Sequence, residues 1–292
     1  RFGMTTTSGG NISIRDTDGS IWITPAAVDK GGLRPDDIVH VTPDGGTTGL
    51  HRPSSELPFH RAVYRARSDL SAIIHAHPPA LVSFSIARAI PDTRAISQAR
   101  SVCGPVGYAE YELPGSEGLG ARIAAIAADG FDAVIMENHG TLVGGTGLGN
   151  AFQRFETLEF CAKTIMEAGA LGSVAALPDE VIEAFDSRDN RLPELSEHVP
   201  SSRENELRGA LIDVVRRAYR QRLIISTYGT FSARVSDSSF LITPYGADRF
   251  YLDRGDLVYV ENGRREPGAL PSRAVRLFAE IYQRHPEIGC VI

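Results

Sequence analysis

Hydrophobic and polar residues near the start of the chain alternate with the two-residue period of half-buried strands. The alternation covers residues 11–15 and 21–24, on either side of an Asp/Gly-rich turn. Over residues 56–67 the apolar positions follow helical spacing instead, after Ser54 or Ser55 as candidate N-cap. The same reasoning predicts strands at 39–41, 70–75, 133–136 and 141–143, and helices at 119–128, 149–168, 179–185 and 205–222. Strands and helices are mixed along the chain, so the pattern predicts an α/β fold in which helices cover a sheet.

A repeated stretch relates the two ends of the chain. Residues 10–15 (GNISIR) recur at 229–234 (GTFSAR), and residues 22–25 (WITP) recur at 241–244 (LITP), in both cases 219 residues later. This gap-free register indicates two copies of one ancestral unit.

The repeat and the local composition together predict the domain boundaries. We expect a catalytic domain over residues 1–172, a linker rich in Pro, Ser, Asp and Glu over 173–203, and a partial second copy over 204–292. The chain starts with Arg, and it stops where the second copy would reach its own pair of histidines. We therefore expect the chain to be part of a longer product, or the second copy to be a half-domain.

Composition and charge narrow the class of protein. The net charge is -6 with both signs interspersed, so no basic face is available for a nucleic acid. No window approaches the roughly 18 apolar residues of a membrane span. Cys103, Cys161 and Cys290 are odd in number and widely spaced, which predicts buried free thiols in a reducing compartment. We expect a cytoplasmic protein that acts on a small molecule and binds neither nucleic acid nor membrane.

Candidate chemistry begins with two histidines at the end of the predicted strand 70–75. His75 and His77 are two residues apart, so a strand would present both imidazoles on one face, and the prolines that follow end its regular hydrogen bonding. His139 follows the apolar strand 133–136, where Gly140 would let the backbone turn sharply. Three imidazoles with an open position are the usual ligands of a catalytic Zn²⁺. From the spacing alone, an alternative is that these are ordinary strand and loop histidines that bind no metal.

A carboxylate, Glu56, stands at the start of the predicted helix 56–67. By itself Glu56 fits a first-turn carboxylate that the helix dipole favours. The preceding Ser54 and Ser55, with the free N–H groups of a helix start, also suit an anion. Beside a metal ion, Glu56 would serve as a fourth ligand or as an acid/base.

Five short motifs, taken in order, resemble the class II aldolase/adducin family, which includes fuculose-1-phosphate aldolase. The resemblance covers residues 1–168 with every motif and 205–292 with the first few. The motifs are Gly-Asn-x-Ser-x-Arg at 10–15, Ile-Thr-Pro at 23–25, Pro-Ser-Ser-Glu at 53–56, His-x-His-Pro at 75–78 and Asn-His-Gly at 138–140.

The resemblance implies a fold and a metal site. The expected fold is a three-layer α/β/α domain with a mixed, largely antiparallel sheet, followed by a partial second copy. His75, His77 and His139 would hold Zn²⁺, with Mn²⁺, Fe²⁺ and Co²⁺ as alternatives, and Glu56 would be the catalytic acid/base.

The resemblance also implies an assembly and a substrate site. The expected assembly is a homo-oligomer with sites near subunit or repeat interfaces, where a neighbour's Tyr108 or Tyr111 would assist catalysis. The residues that match substrate-binding or anion-binding positions of the family are Gly10, Asn11, Thr24, Ser54 and Ser55.

The chain departs from the family pattern in two places. Residues 24–27 read Thr-Pro-Ala-Ala where the family commonly has Thr-Pro-Ser-Gly, which leaves open whether the substrate is phosphorylated. In the second copy, Thr230 replaces Asn11, Arg273 replaces Ser55 and Ala274 replaces Glu56, although Pro244-Tyr245-Gly246 stays nearer the family pattern. The second copy is thus expected to lack the acid/base and to act as a structural companion.

The function expected from these residues is that of a metal-dependent carbon–carbon lyase. It would cleave a small hydroxy-carbonyl or sugar-derived compound by retro-aldol chemistry, through an enediolate that the metal stabilises. A decarboxylase of a keto acid or dihydroxy-aromatic acid would use the same site. Two further alternatives are a non-catalytic adducin-like scaffold and an Fe²⁺ oxygenase with the same three histidines.

Overall fold

The computed structural model describes residues 3–292, which form two compact units. The first unit ends at Glu183, and the second runs from Ala184 to Ile292. This boundary falls inside the segment 173–203 that the sequence predicts as a linker.

A large, mainly antiparallel sheet forms the centre of the first unit. Its strands are β1 Asn11–Arg15, β2 Ile21–Ile23, β3 Val39–Val41, β4 Thr47–Thr48, β5 Ala72–Ala76, β6 Val106–Ala109, β7 Ala133–Met136 and β8 Gly140–Gly145. Among residues 3–292 these eight strands lie in the order β4-β3-β2-β1-β5-β8-β7-β6, and β6 and β7 form the parallel pair. The strand order brings β1, β5 and β8 side by side in the middle of the sheet.

Helices cover both faces of this sheet. They are α1 Leu57–Ala66, α2 Pro79–Ile86, α3 Ser97–Cys103, α4 Glu117–Ala128 and α5 Leu148–Leu171. A further helix, α6 Asp179–Asp186, includes the residues at which the first unit ends and the second begins. On one face, Phe59 of α1 and Ile123 of α4 pack against Ile73 of β5. On the other face, Leu81 of α2 and Phe155 of α5 lie in the second core cluster. The predicted three-layer α/β/α fold with a mixed, largely antiparallel sheet is therefore confirmed.

The prolines after His77 end strand β5, as predicted, but they also begin helix α2. Pro79 occupies the first turn, where a missing N–H costs little because that group has no partner within the helix. The next two N–H groups, of Ala80 and Leu81, donate to the carboxylate of Glu159 on α5 at 3.1 and 3.0 Å. Sequence patterning missed α2, and it also missed α3 and β6.

The second unit contains a smaller antiparallel sheet. Its elements are α7 Ser202–Arg220, β9 Ser232–Arg234, β10 Ser239–Ile242, β11 Val258–Glu261, β12 Arg264–Arg265, α8 Val275–Arg284 and β13 Cys290–Val291. In the described part of the chain, the strand order is β12-β11-β10-β9-β13. This order matches β4-β3-β2-β1-β5 of the first unit, position for position.

The burial of the cysteines differs in part from expectation. Cys103 and Cys161 are buried free thiols, as predicted. The prediction was wrong for Cys290, which is exposed because it lies on β13, an edge strand of the second sheet. Among residues 3–292, no helix is both long enough and apolar enough to cross a membrane.

Candidate active site

The end of strand β5 positions the first two histidines. Alternation along β5 places His75 on the α1 side of the sheet, where its ring meets the Phe59 ring edge-on at 5.4 Å. His77 lies one residue past the end of β5. The two Nε2 atoms are 2.9 Å apart, so the imidazoles meet at the same end of the strand.

A tight hairpin between β7 and β8 positions the third histidine. Met136 pairs with Gly140, and Asn138 between them adopts a left-handed φ of 52°. The expectation that Gly140 makes the sharp turn was wrong, since Asn138 makes it. Gly140 is required for a different reason: a Cβ there would lie 2.5 Å from the His77 ring. The absence of a side chain at Gly140 lets the hairpin approach β5 and brings His139 to the other two histidines.

The three imidazoles form one cluster. One ring nitrogen from each of His75, His77 and His139 lies within 4.8 Å of the others. Tetrahedral zinc with Zn–N bonds of about 2.0–2.1 Å requires ligand nitrogens roughly 3.3 Å apart. The cluster is therefore compact enough to hold a divalent ion after small side-chain movements.

The protonation of His75 tests whether this cluster suits a cation. His75 Nδ1 lies 3.1 Å from the carbonyl oxygen of Thr141, so Nδ1 carries the proton and donates it. The lone pair of Nε2 then faces the Nε2 of His77 and, at 3.2 Å, the carboxylate of Glu56. These groups repel one another unless a proton or a metal ion lies among them. The donor set thus fits a bound metal ion, with Thr141 fixing the ring of one ligand.

Glu56 lies directly beside the histidine cluster. It is buried just before α1, and its Oε1 and Oε2 lie 3.1 Å from His139 Nε2 and 3.2 Å from His75 Nε2. The side-chain amide of Asn11 donates to Oε2 at 2.7 Å. Burial raises the pKa of the Glu56 carboxyl, but hydrogen bonds with His139 and His75 outweigh burial and leave this pKa well below its usual value. Glu56 is therefore held as a carboxylate.

The predicted substrate-binding residues surround this centre, and some of their polar groups are already engaged. Gly10 has a left-handed φ of 72°, and a Cβ there would lie 2.7 Å from the His75 carbonyl oxygen. The Thr24 hydroxyl accepts from the N–H of Ile12, and the Ser54 hydroxyl accepts from the N–H of Glu56. Ser55 is exposed.

An apolar cavity of about 170 Å³ adjoins these residues. Its walls include predicted site residues together with aromatic side chains of α5 and the residue Lys30. The lining includes Gly10, Asn11, Thr24, Lys30, His75 and Phe155. Glu56, His77 and His139 are not among its lining residues, and Phe155 belongs to the core on the sheet face opposite the His75 ring. The cavity therefore lies on the α5 side of the sheet.

The tyrosines expected to assist catalysis do not approach the cluster within one chain. Tyr108 is paired with Ile135 in the sheet, and its side chain packs on the face opposite His75. The Tyr108 hydroxyl is buried and has no hydrogen-bond partner among residues 3–292. Tyr111 is exposed. Assistance from a neighbouring subunit stays a prediction.

Sequence reasoning missed a buried polar residue on α1. His60 is fully buried, and its two ring nitrogens contact the Asn11 Oδ1 and the Ser13 Oγ. The Ser13 Oγ in turn lies 2.8 Å from the Tyr64 hydroxyl. The signal that could have identified His60 is its position four residues after Glu56, which is one helical turn along α1.

Comparison with known proteins agrees with this geometry. A sequence profile described as "Class II Aldolase and Adducin N-terminal domain" matches residues 1–166 and 209–292. The chain belongs to the class II aldolase and adducin family. The family match covers the histidine cluster, Glu56 and much of the second unit.

Relatives within the class II aldolase family are enzymes. A 5-deoxy-D-ribulose 1-phosphate aldolase of Bacillus thuringiensis serovar kurstaki is 34% identical over 62% of this chain and 85% of its own length. A 3-oxo-tetronate 4-phosphate decarboxylase of Escherichia coli strain K12 is 31% identical over 57% and 80%. An L-fuculose 1-phosphate aldolase structure is similar with a TM-score of 0.58 and 34% identity, over 62% of this chain and 86% of that one. The prediction of a class II aldolase-type lyase, aldolase or decarboxylase, is confirmed.

Proposed function

We propose that the first unit is the catalytic domain and that it cleaves a carbon–carbon bond in a small, phosphorylated hydroxy-carbonyl compound. The observation that carries this proposal is the convergence of His75, His77 and His139 on the carboxylate of Glu56. A scaffold module has no need for this combination of ligands and a buried base.

The proposed metal is a divalent ion, with Zn²⁺ favoured by three neutral imidazoles and Mn²⁺, Fe²⁺ and Co²⁺ as alternatives. His75, His77 and His139 would hold the ion, and the bound ion would act as a Lewis acid toward adjacent carbonyl and hydroxyl oxygens of the substrate. Glu56 would exchange a proton with the substrate. Asn11 would hold the Glu56 carboxylate while its second amide N–H remains for a substrate oxygen.

The phosphate is proposed from the names of the relatives, which include a deoxyribulose 1-phosphate aldolase and an oxo-tetronate phosphate decarboxylase. The backbone at Ala27 is consistent with this assignment. Ala27 keeps a left-handed φ of 55°, the conformation that glycine favours, so the loop shape persists although the side chain has changed. Gly10, Asn11, Thr24, Ser54 and Ser55 are the proposed substrate contacts.

The test is an assay for aldehyde and for CO₂ with a panel of ketose 1-phosphates, oxo-acid phosphates and dihydroxybenzoates. Aldehyde release identifies an aldolase, and CO₂ release identifies a decarboxylase. A Glu56→Gln variant should still bind metal but lose turnover, because the amide cannot accept the proton. Wild-type turnover by Glu56→Gln would remove the proposed role of Glu56.

We further propose that residues 204–292 are a degenerate, partial second copy, joined to the catalytic domain 1–172 by the linker 173–203. Support comes from the shared strand order and from the family match over residues 209–292. A homo-oligomer with Tyr108 reaching a neighbour's site and a cytoplasmic location complete the proposal. Sedimentation of the purified protein tests the oligomer.

A further inference from the structure

We propose that His60 is a positioning residue for the lyase reaction: its imidazole fixes the side-chain amide of Asn11, and Asn11 in turn holds the carboxylate of Glu56. The inference rests on the function proposed above and adds a residue to that site. Among residues 3–292, the His60 ring forms hydrogen bonds with Ser13 and Asn11 and none with Glu56 or the three clustered histidines.

The direction of each hydrogen bond follows from the carboxylate end. An ionised carboxylate accepts and cannot donate, so Asn11 must turn its NH₂ group toward Glu56 Oε2. The Asn11 carbonyl oxygen then faces His60 and must receive a proton, so the His60 Nε2 carries hydrogen. A neutral imidazole that is protonated on Nε2 accepts at Nδ1.

The remaining two contacts complete the chain of donors. The Ser13 hydroxyl lies 2.7 Å from His60 Nδ1 and must donate to it. Its oxygen lies 2.8 Å from the Tyr64 hydroxyl, whose single proton can go to this oxygen or, at 3.0 Å, to the Ser13 carbonyl oxygen. Every proton between the Ser13 hydroxyl and Glu56 therefore has one allowed position, and the tautomer of His60 decides which way the Asn11 amide faces. Burial supports the neutral form, since it lowers the pKa of His60 to about 3.

The second unit offers an internal comparison. The Ser–Tyr end of the chain persists there, with Ser232 Oγ 2.7 Å from the Tyr282 hydroxyl. Phe278 stands at the position that matches His60, and Ser232 donates to the carbonyl oxygen of Val291 instead. Thr230 and Ala274 replace Asn11 and Glu56. The imidazole is thus missing together with the two groups that it is proposed to position.

Three substitutions separate positioning from packing. In His60→Gln the amide nitrogen can take the place of Nε2, in His60→Asn it reaches the place of Nδ1, and His60→Phe fills the space with neither. We expect His60→Gln to keep kcat within about threefold of wild type, and the other two to lower it by roughly 10- to 100-fold with KM little changed. Circular dichroism confirms folding of each variant. Equal losses in His60→Gln and His60→Asn, or wild-type kcat in His60→Phe, would overturn the proposal.

A double-mutant cycle with Asn11→Ala tests whether His60 acts through Asn11. If it does, adding His60→Phe to Asn11→Ala changes kcat by less than about twofold. Additive losses would contradict the proposal, because they would mean that His60 acts independently of Asn11.

Nitrogen-15 spectra of the imidazoles give a readout that needs no substrate. We expect wild-type protein, with and without added Zn²⁺, to show His60 as the neutral Nε2–H tautomer. The Asn11 side-chain NH₂ resonances should move in His60→Asn and stay in place in His60→Gln. An Nδ1–H tautomer would overturn the proposal. If the spectra agree while no member of the substrate panel reacts, the proposed function fails and the positioning of Asn11 by His60 stands.

Discussion

The two units share the arginine contacts that hold the first strand to the following helix, and they differ in the polar residues of the candidate active site. In the first unit, Arg15 donates at 2.7 Å to each of three backbone carbonyl oxygens, that of Tyr64 in the last turn of α1 and those of Ser68 and Leu70 beyond it. In the second unit, Arg234 donates to the carbonyl oxygens of Tyr282 in α8 and of His285 and Ile288 beyond it, at 2.7 to 2.9 Å. Each guanidinium also lies over the ring of a tyrosine, Tyr64 or Tyr282. The contacts that tie the first strand of each unit to the helix after it are therefore of the same kind, and two of the three acceptors stand at matching positions.

The polar groups around Glu56 do not share this similarity. Asn11, Glu56 and His60 form one connected network, and Thr230, Ala274 and Phe278 stand at the matching positions. The Thr230 hydroxyl lies 2.6 Å from the Ser272 hydroxyl, so its polar atom has a partner without any such network. The five strands that the two units share, β4-β3-β2-β1-β5 and β12-β11-β10-β9-β13, therefore form with or without this network. We propose that the network serves the reaction beside the histidines instead.

The largest expected difference between the units is in metal content. We expect purified protein to bind about one divalent ion per chain, because three histidines converge in the first unit. His75→Ala should lose the ion and reduce turnover to background, whereas Ala274→Ser in the second unit should change neither. Elemental analysis and the aldehyde or CO₂ assay measure both outcomes. Full metal content in His75→Ala would show that the ion does not depend on the histidine cluster of the first unit.

Acid should destabilise the first unit through His60. Folded protein keeps His60 neutral down to about pH 3, whereas the unfolded chain binds a proton below the ordinary histidine pKa of 6.5. The unfolded state then holds more protons, so this contribution to stability is lost as pH falls from about 6.5 to about 3, by at most about 1.4 kcal/mol per pH unit.

Trp22, the single tryptophan, lies in the first unit and reports its unfolding by fluorescence. We expect the free energy of unfolding of His60→Gln to depend less steeply on pH over this window than that of wild type. Equal slopes in the two proteins would show that His60 is not held neutral in the folded state.

Because both units contain these arginine contacts, we expect loss of either arginine to destabilise its own unit by a similar amount. Arg15→Met and Arg234→Met each leave three backbone carbonyl oxygens without their charged donor. We expect each variant to lower the free energy of unfolding of its own unit by roughly 2–3 kcal/mol. Hydrogen exchange followed by mass spectrometry resolves β1 and β9 separately. A loss confined to one unit would mean that the matched contacts are not equivalent in energy.

Two kinds of feature could be predicted from the sequence: elements with a local periodic pattern, and residues that belong to a motif of the ordered set. His75, His77, His139 and Glu56 belong to such motifs, and β1, β5 and α1 follow clear periodicities. His60 escaped prediction because it sits among apolar residues of α1 while its partner Asn11 lies 49 residues away. Helix α2 escaped because the carboxylate at its start, from Glu159, is 79 residues away. Contacts at such separations exist only in the folded chain.

The smallest expected difference concerns thiol reactivity and leaves stability unchanged. Burial raises the pKa of Cys161 to about 12 and also raises that of Cys103, so neither forms the reactive thiolate near pH 8. Cys290 on β13 is exposed to solvent. Brief treatment of native protein with iodoacetamide should therefore label Cys290 and spare the other two, as peptide mass spectrometry would show. Denatured protein, which should be labelled at all three sites, is the control. Early labelling of Cys103 would mean that the core between α3 and α5 opens more readily than its packing implies.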